Sequence, residues 1–229
     1  MSKPLAQVAI PQVPKDMTRF CLVRHGETDW NTQRRIQGNL DLPLNATGMV
    51  QAHAAARGLA EAGIELIYSS DLARARQTAE AAAQHIGLPL ILCEQLRERR
   101  FGIFEGLTYD EVKRRFPDVY ARFETRDSGF AMPQGESLQQ LAARVENALR
   151  RIAGDHPGQT VLVVTHGGVL DIAYRLATGR TLDTARDFVI PNAAYNWIDW
   201  QTDGSHGRFV LRAWGELLHL DEALDELPG

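Results

Sequence analysis

Two short stretches place a histidine between residues suited to phosphate: Arg24-His25-Gly26-Glu27-Thr28-Asp29-Trp30-Asn31 and Thr165-His166-Gly167-Gly168. A neutral imidazole nitrogen attacks phosphorus directly. A guanidinium beside it grips two phosphate oxygens and cancels charge that would repel the nucleophile. His25 therefore reads as a nucleophile that becomes transiently phosphorylated, Arg24 as its clamp, and Gly26 as the residue that lets the backbone pass close to a bound group. Arg74, in Ser70-Asp71-Leu72-Ala73-Arg74-Ala75-Arg76-Gln77-Thr78, supplies a second fork. Arg76 is turned by about 200° on the same helix, so it should face elsewhere. His166 can donate to a non-bridging oxygen, and a neighbouring dianion favours its charged form. Phosphate monoesters hydrolyse so slowly that enhancements up to ~10²¹ are needed, which calls for several positioned donors around the transferred group. A leaving alkoxide also needs a proton. The candidate donor is Glu98, in Leu96-Arg97-Glu98-Arg99-Arg100-Phe101-Gly102. A bound phosphate favours its protonated form and the flanking arginines oppose it, a balance the sequence leaves open.

Distant residues can meet only if the fold brings them together. Phe20–Val23 and Val161–Val164 are short apolar runs that stop at the two histidines, as buried strands do. Further strands are expected over Ile64–Tyr68 and Pro89–Cys93. Between them, Thr47–Ala62 should form a helix capped by Asn45 and stopped by Gly63. Another should run to Ile86, capped by Ser69, Ser70 or Asp71 and followed by Gly87. Residues 96–108 read as a loop, and Thr108 with Glu111 as a capping box for a short helix ending at Phe116-Pro117, with a second short helix after it. A helical stripe of Leu138, Leu141, Val145, Leu149 and Ile152 predicts a helix ended by Gly154, and another helix covers Val169–Thr178. Tyr195–Trp200 and Arg208–Trp214 around Asp203-Gly204 predict an antiparallel hairpin. The expected fold is an α/β three-layer sandwich, with a mostly parallel sheet flanked by helices and a C-terminal antiparallel hairpin. Its site lies at the carboxyl ends of the strands.

The 229 residues suffice for one domain, expected over 18–229 behind a flexible N-terminal arm of residues 1–17 that lacks the features of a secretory signal. Hydrophobic residues at 44% and charged residues at 24% describe a globular chain, and the net charge of -4 gives no global reason to bind nucleic acid or an anionic membrane. No run approaches the roughly 18–20 apolar residues a bilayer requires. Cys21 and Cys93 lie in apolar runs without a spaced framework, which favours buried thiols in a reducing compartment. A cytoplasmic location follows as the default. The acidic tail from Glu216 to Leu227 has leucines near helical spacing that could pack on the body or on a second subunit, as in a homodimer.

These motifs together resemble the histidine phosphatase superfamily on its phosphoglycerate-mutase-like branch. The resemblance covers Thr18 to Trp214: Leu22–Asn31 looks like the family signature, followed in order by Gln37-Gly38, Asp41-Leu42-Pro43-Leu44, Ser70–Ala75, Leu96-Arg97-Glu98, Gly135-Glu136-Ser137 and Val164–Gly168. It implies His25 as the phosphorylated nucleophile and Glu98 as proton donor. Arg24, Arg74 and His166 form the implied phosphate pocket, with Asn31 and Gln37 as further phosphate or substrate contacts. It implies no metal and no cofactor, and a small phosphorylated substrate. The family holds both mutases and phosphatases. The stretch after Glu98 is short, like that of the phosphatases, so phosphatase is preferred over mutase.

Two other classes compete: a metal-dependent enzyme on His25, His166 and Glu98, against which the two arginines argue, and a non-catalytic phospho-ligand binding module. Asn192 reads equally as a turn residue or a substrate contact. His53, His85, His156, His206 and His219 read as surface positions without partners.

Overall fold

The computed structural model describes residues 13–202 and 206–220. The strands are β1 (Met17–Arg24), β2 (Leu66–Ser69), β3 (Leu90–Leu92), β4 (Thr160–Thr165), β5 (Tyr195–Thr202) and β6 (Gly207–Glu216), and the helices are α1 (Asp29–Thr32), α2 (Ala46–Gly58), α3 (Ala73–Ile86), α4 (Tyr109–Arg115), α5 (Pro117–Glu124), α6 (Leu138–Asp155) and α7 (Gly167–Thr178). They build a six-stranded sheet in the order β3-β2-β4-β1-β5-β6. β1, β2, β3 and β4 run parallel, and β5 and β6 add antiparallel strands beside β1. Asp203-Gly204, the expected hairpin turn, and residues 1–12 of the expected arm lie outside the described residues.

Alternation along the two central strands separates the layers. Phe20, Leu22, Val161 and Val163 pack into a core with α6 and α7. Cys21, Val23, Leu162 and Val164 pack on the other face with α2 and α3. Both faces are buried, which is why these strands are continuously apolar. Cys93 belongs to the first core and Cys21 to the second, so the sheet separates the two buried, free thiols. Ile36, Phe104, Val112 and Met132 form a third, smaller core under α4 and α5. No described helix is long and apolar enough to cross a membrane.

The expected boundaries need three corrections. α2 stops at Gly58, before Ala62, and Gly63 turns the chain with φ 67° beyond it. α6 continues through Gly154 to Asp155 because the left-handed turn is made later, at Gly158 (φ 81°). Neither Ser69, Ser70 nor Asp71 caps α3. Its N-cap residue is Leu72, and the Ala73 amide donates instead to Asp41 Oδ1 at 2.6 Å. Those residues have other duties, with Ser70 facing His166 and Asp71 pairing with Arg97. Asn45, Thr108 and Ser137 do cap their helices, and Pro117 begins α5 after Phe116 ends α4. Within the expected loop, single 3-10 turns form at Glu94–Leu96 and Gly102–Phe104.

Candidate functional site

β1 and β4 are neighbours, so their carboxyl ends deliver both histidines to one place. The His25 amide donates to Thr165 O at 2.9 Å, continuing the ladder one residue past the strand. The imidazole rings stand 5.2 Å apart, centroid to centroid. His25 Nδ1 lies 2.7 Å from Gly26 O. A carbonyl only accepts, so Nδ1 carries the proton and Nε2 keeps the lone pair that a nucleophile needs. Asn192 Nδ2 holds His25 O at 2.8 Å and Thr78 Oγ1 accepts the Gly26 amide at 3.0 Å, fixing the loop from two sides.

His166 is oriented through Ser70. The Leu72 amide donates to Ser70 Oγ at 3.3 Å, and His166 Nε2 lies 2.8 Å from the same oxygen. Nε2 is the acceptor that the Ser70 hydroxyl meets among the described residues, so Ser70 gives its proton to Nε2. His166 Nδ1 then bears a hydrogen and remains a buried donor with no partner. Burial, reinforced by Arg74 and Arg24, holds His25 well below the ordinary 6.5, and burial with Arg74, His25 and Arg24 does the same for His166. Both rings are therefore neutral at neutral pH.

Arg74 is fully buried on the first turn of α3, where its Nη atoms donate to Leu40 O and Gly38 O, each at 2.8 Å. Arg76 turns away and meets Glu80 at 3.5 Å. Arg24 Nη1 donates to Ile190 O at 2.7 Å. Burial lowers Arg74 to about 10 and also lowers Arg24, the charge of Glu98 opposing both shifts, and among the described residues neither guanidinium forms an ion pair.

Among the described residues, the buried side-chain nitrogen and oxygen atoms without a partner are Arg24 Nε, Arg74 Nε, His166 Nδ1 and Gln37 Oε1. Each such orphan costs about 1–3 kcal/mol. Arg24, Arg74 and Gln37 line one pocket, and His166 stands beside His25, which lines it too. Asn31 and Gln37 line the same pocket, of about 910 Å³. Asn31 Oδ1 is taken by Thr28, whose amide and hydroxyl donate at 3.0 and 3.1 Å, so the amide group is what it offers the pocket.

Glu98 is not a solvated loop carboxylate. Its Oε1 accepts the Gly168 amide at 3.1 Å and the Arg99 amide at 2.7 Å. The arginines on either side point elsewhere, Arg97 to Asp71 and Arg99 to Glu136 O. A methyl-sized point above Gly167 would lie 3.8 Å from Glu98 Oε2 and 3.9 Å from Arg24 Nε, so the carboxylate borders the space that the orphaned guanidinium faces. Among the described residues no three His, Cys, Asp or Glu side chains are grouped to hold a metal ion, so His25, His166 and Glu98 do not form the rival ligand set.

Several supporting residues escaped the sequence. Thr78 lies one helical turn after Arg74, a spacing that could have revealed it. Ser70 was read only as a cap, and nothing local marks Asn192 as the holder of His25. Three of the histidines read as unpartnered are not so: His156 Nε2 lies 2.9 Å from Tyr68 Oη, His219 stacks on Tyr195 with its Nε2 2.9 Å from Ala193 O, and His206 also has a partner.

The sequence profile of the histidine phosphatase superfamily (branch 1) matches residues 20–216. Phosphoglycerate mutase-like protein 4 of Arabidopsis thaliana is 38% identical over 210 residues, covering 90% of this chain and 89% of the relative. The metal-independent phosphoserine phosphatase of Arabidopsis thaliana is 36% identical over 212 residues, covering 91% and 86%. The solved structure of Bacillus stearothermophilus YhfR superposes with a TM-score of 0.81 at 32% identity, covering 89% of this chain and all 100% of that one.

Proposed function

The chain belongs to the histidine phosphatase superfamily, and from that premise we propose that it hydrolyses small phosphomonoesters through a phosphohistidine at His25. The observation that supports the reading is that His25 lines one pocket with Arg24 and Arg74, each with a buried, unpartnered Nε, and stands 5.2 Å from the His166 ring, whose Nδ1 is likewise unpartnered. His25 Nε2 attacks phosphorus as the phosphorus–oxygen bond to the leaving group breaks. The leaving oxygen takes a proton from Glu98, whose protonated form the substrate's own charge favours. Water then attacks the phosphohistidine, returns a proton to Glu98, and releases inorganic phosphate with His25 restored. Arg24 and Arg74 meet the charge on the transferred group through fixed forks, and His166 donates from Nδ1. Asn31 and Gln37 contact the phosphoryl group or the substrate from the pocket wall. The two buried thiols suit a reducing compartment, so the proposed setting is the cytoplasm.

Brief incubation with a ³²P-labelled phosphomonoester, followed by a quench that preserves acid-labile phosphoramidates, should trap label on the wild-type chain and none on His25→Ala. Phosphate release should fall by at least about 10⁴-fold in that variant, the scale seen when a nucleophile is removed. Full turnover by His25→Ala would end the proposal.

A further inference from the structure

We infer that Arg144, paired with Glu136, is a positioning residue for the proton donor: it fixes the segment that carries Glu98 and so decides where the carboxyl group meets the leaving oxygen. The inference deepens the proposed phosphatase reading and rests on it.

Residues 94–101 belong to no strand, and their one regular feature is the 3-10 turn at Glu94–Leu96. Side chains must therefore meet the peptide groups that no ladder satisfies. Arg144 meets most of them. From α6, its Nη1 donates to Gln95 O at 2.7 Å and to Arg97 O at 2.9 Å, and its Nη2 donates to Glu98 O at 3.4 Å. Thr165 Oγ1 donates to Leu96 O at 2.7 Å, and Asn39 Nδ2 donates to Glu98 O at 3.0 Å. Every carbonyl from Gln95 to Glu98 is thus held by a side chain, three of them by one guanidinium.

Glu136 balances that charge and extends the grip. Its Oε1 accepts Arg144 Nη2 at 2.6 Å and its Oε2 accepts Nε at 3.4 Å. The same Oε1 accepts the Arg100 amide at 2.9 Å, and the Glu136 amide donates to Arg100 O at 2.8 Å. The pair therefore holds the chain on both sides of Glu98, at residues 95 and 97 and again at 100. A methyl group on Gly135 would come within 2.6 Å of Arg100 O, so glycine lets the two stretches approach, and Ser137 caps the helix that presents Arg144. Each residue of the Gly135-Glu136-Ser137 motif thereby gains a duty.

α6 is a firm base for this clasp. Leu141, Val145, Leu149 and Ile152 bury its inner face in the core that also holds Phe20 and Leu22 of β1 and Val161 and Val163 of β4. Those two strands end at His25 and His166, so the clasp refers Glu98 to the sheet that places the nucleophile. Neither Arg144 nor Glu136 lines the pocket, so their influence on the reaction passes through Glu98.

Arg144→Lys tests the geometry, because it keeps the charge but replaces a planar fork with a single nitrogen. On the full chain, kcat/KM for glycerol 3-phosphate should fall about 10- to 100-fold, the scale for a catalytic group displaced by about 1 Å. With p-nitrophenyl phosphate, whose leaving group needs no proton, it should stay within about threefold, and the first turnover should release p-nitrophenolate at the wild-type rate. Adding Arg144→Lys to Glu98→Gln should cost almost nothing further, since the clasp has then lost the group it places. Equal losses on both esters, an undiminished rate on glycerol 3-phosphate, or full additivity in the double variant would overturn the inference. The phosphatase reading fails on a different result: no phosphohistidine on wild type and no hydrolysis of either ester. Amide exchange then decides the positioning by itself. The Arg99 and Gly168 amides, which donate to Glu98 Oε1, should exchange at least about 10-fold faster in Arg144→Lys, while the buried Leu170 amide of α7 keeps its protection. Unchanged exchange at Arg99 and Gly168, or a loss that spreads to Leu170, would overturn it.

Discussion

At the pocket floor, His25, Arg74 and His166 are almost completely buried, anchored by main-chain atoms and side chains from the loops after β1 and β2, the segment before α2 and the segment before β5. The outer wall is different. Tyr109, Phe123 and Phe130 come from the α4–α5 segment and its nearby loop, over a small core of Ile36, Phe104, Val112 and Met132 that is separate from the two cores of the sheet. α5 itself buries no residue completely. The floor is thus tied to the register of the sheet, whereas the wall rests on its own cluster. On the proposed function, chemistry belongs to the first and choice of substrate to the second.

That division predicts effects of decreasing size. Arg74→Leu should lower kcat/KM about 10³-fold for every ester alike, because it removes a fixed charge from the transferred group, while Arg76→Leu should stay within about twofold. An ester-dependent loss at Arg74 would blur the line between floor and wall. Gly168→Ala places a methyl against Glu98 Oε1 and should displace the carboxylate, costing about 10²-fold with alkyl esters. The loss should be much smaller with p-nitrophenyl phosphate, whose leaving group needs no proton. Ser70→Ala frees His166 to take either tautomer and should cost roughly 10-fold in kcat. Its ¹⁵N spectrum should show the Nδ1–H form of His166 in wild type and a mixture in the variant.

The smallest effect concerns acid. Because the buried rings of His25 and His166 titrate well below 6.5, the unfolded chain binds more protons than the folded one as pH falls beneath that value. Stability contributed by the neutral rings is fully present above about pH 6.5 and declines below it. Melting temperatures should therefore fall by a few degrees between about pH 6.5 and 5, and less steeply in His166→Gln. Inorganic phosphate should counter the fall by favouring protonated His166.

Much of this was legible in the chain because burial and local geometry leave periodic marks. Val161–Val164 announced a strand buried on both faces, the 200° between Arg74 and Arg76 separated a pocket residue from a surface one, and Thr108 and Asn45 announced their helices. The order of the sheet, the tautomers of the two histidines and the identity of their holders left no such mark. Ser70 turns to His166 because β2 lies beside β4, and Asn192 reaches His25 because β5 lies beside β1. A residue's neighbours along the chain set its backbone preferences and its face. Its partners across the chain depend on which strands meet and in what register, and that is decided only when the whole sheet closes around its cores.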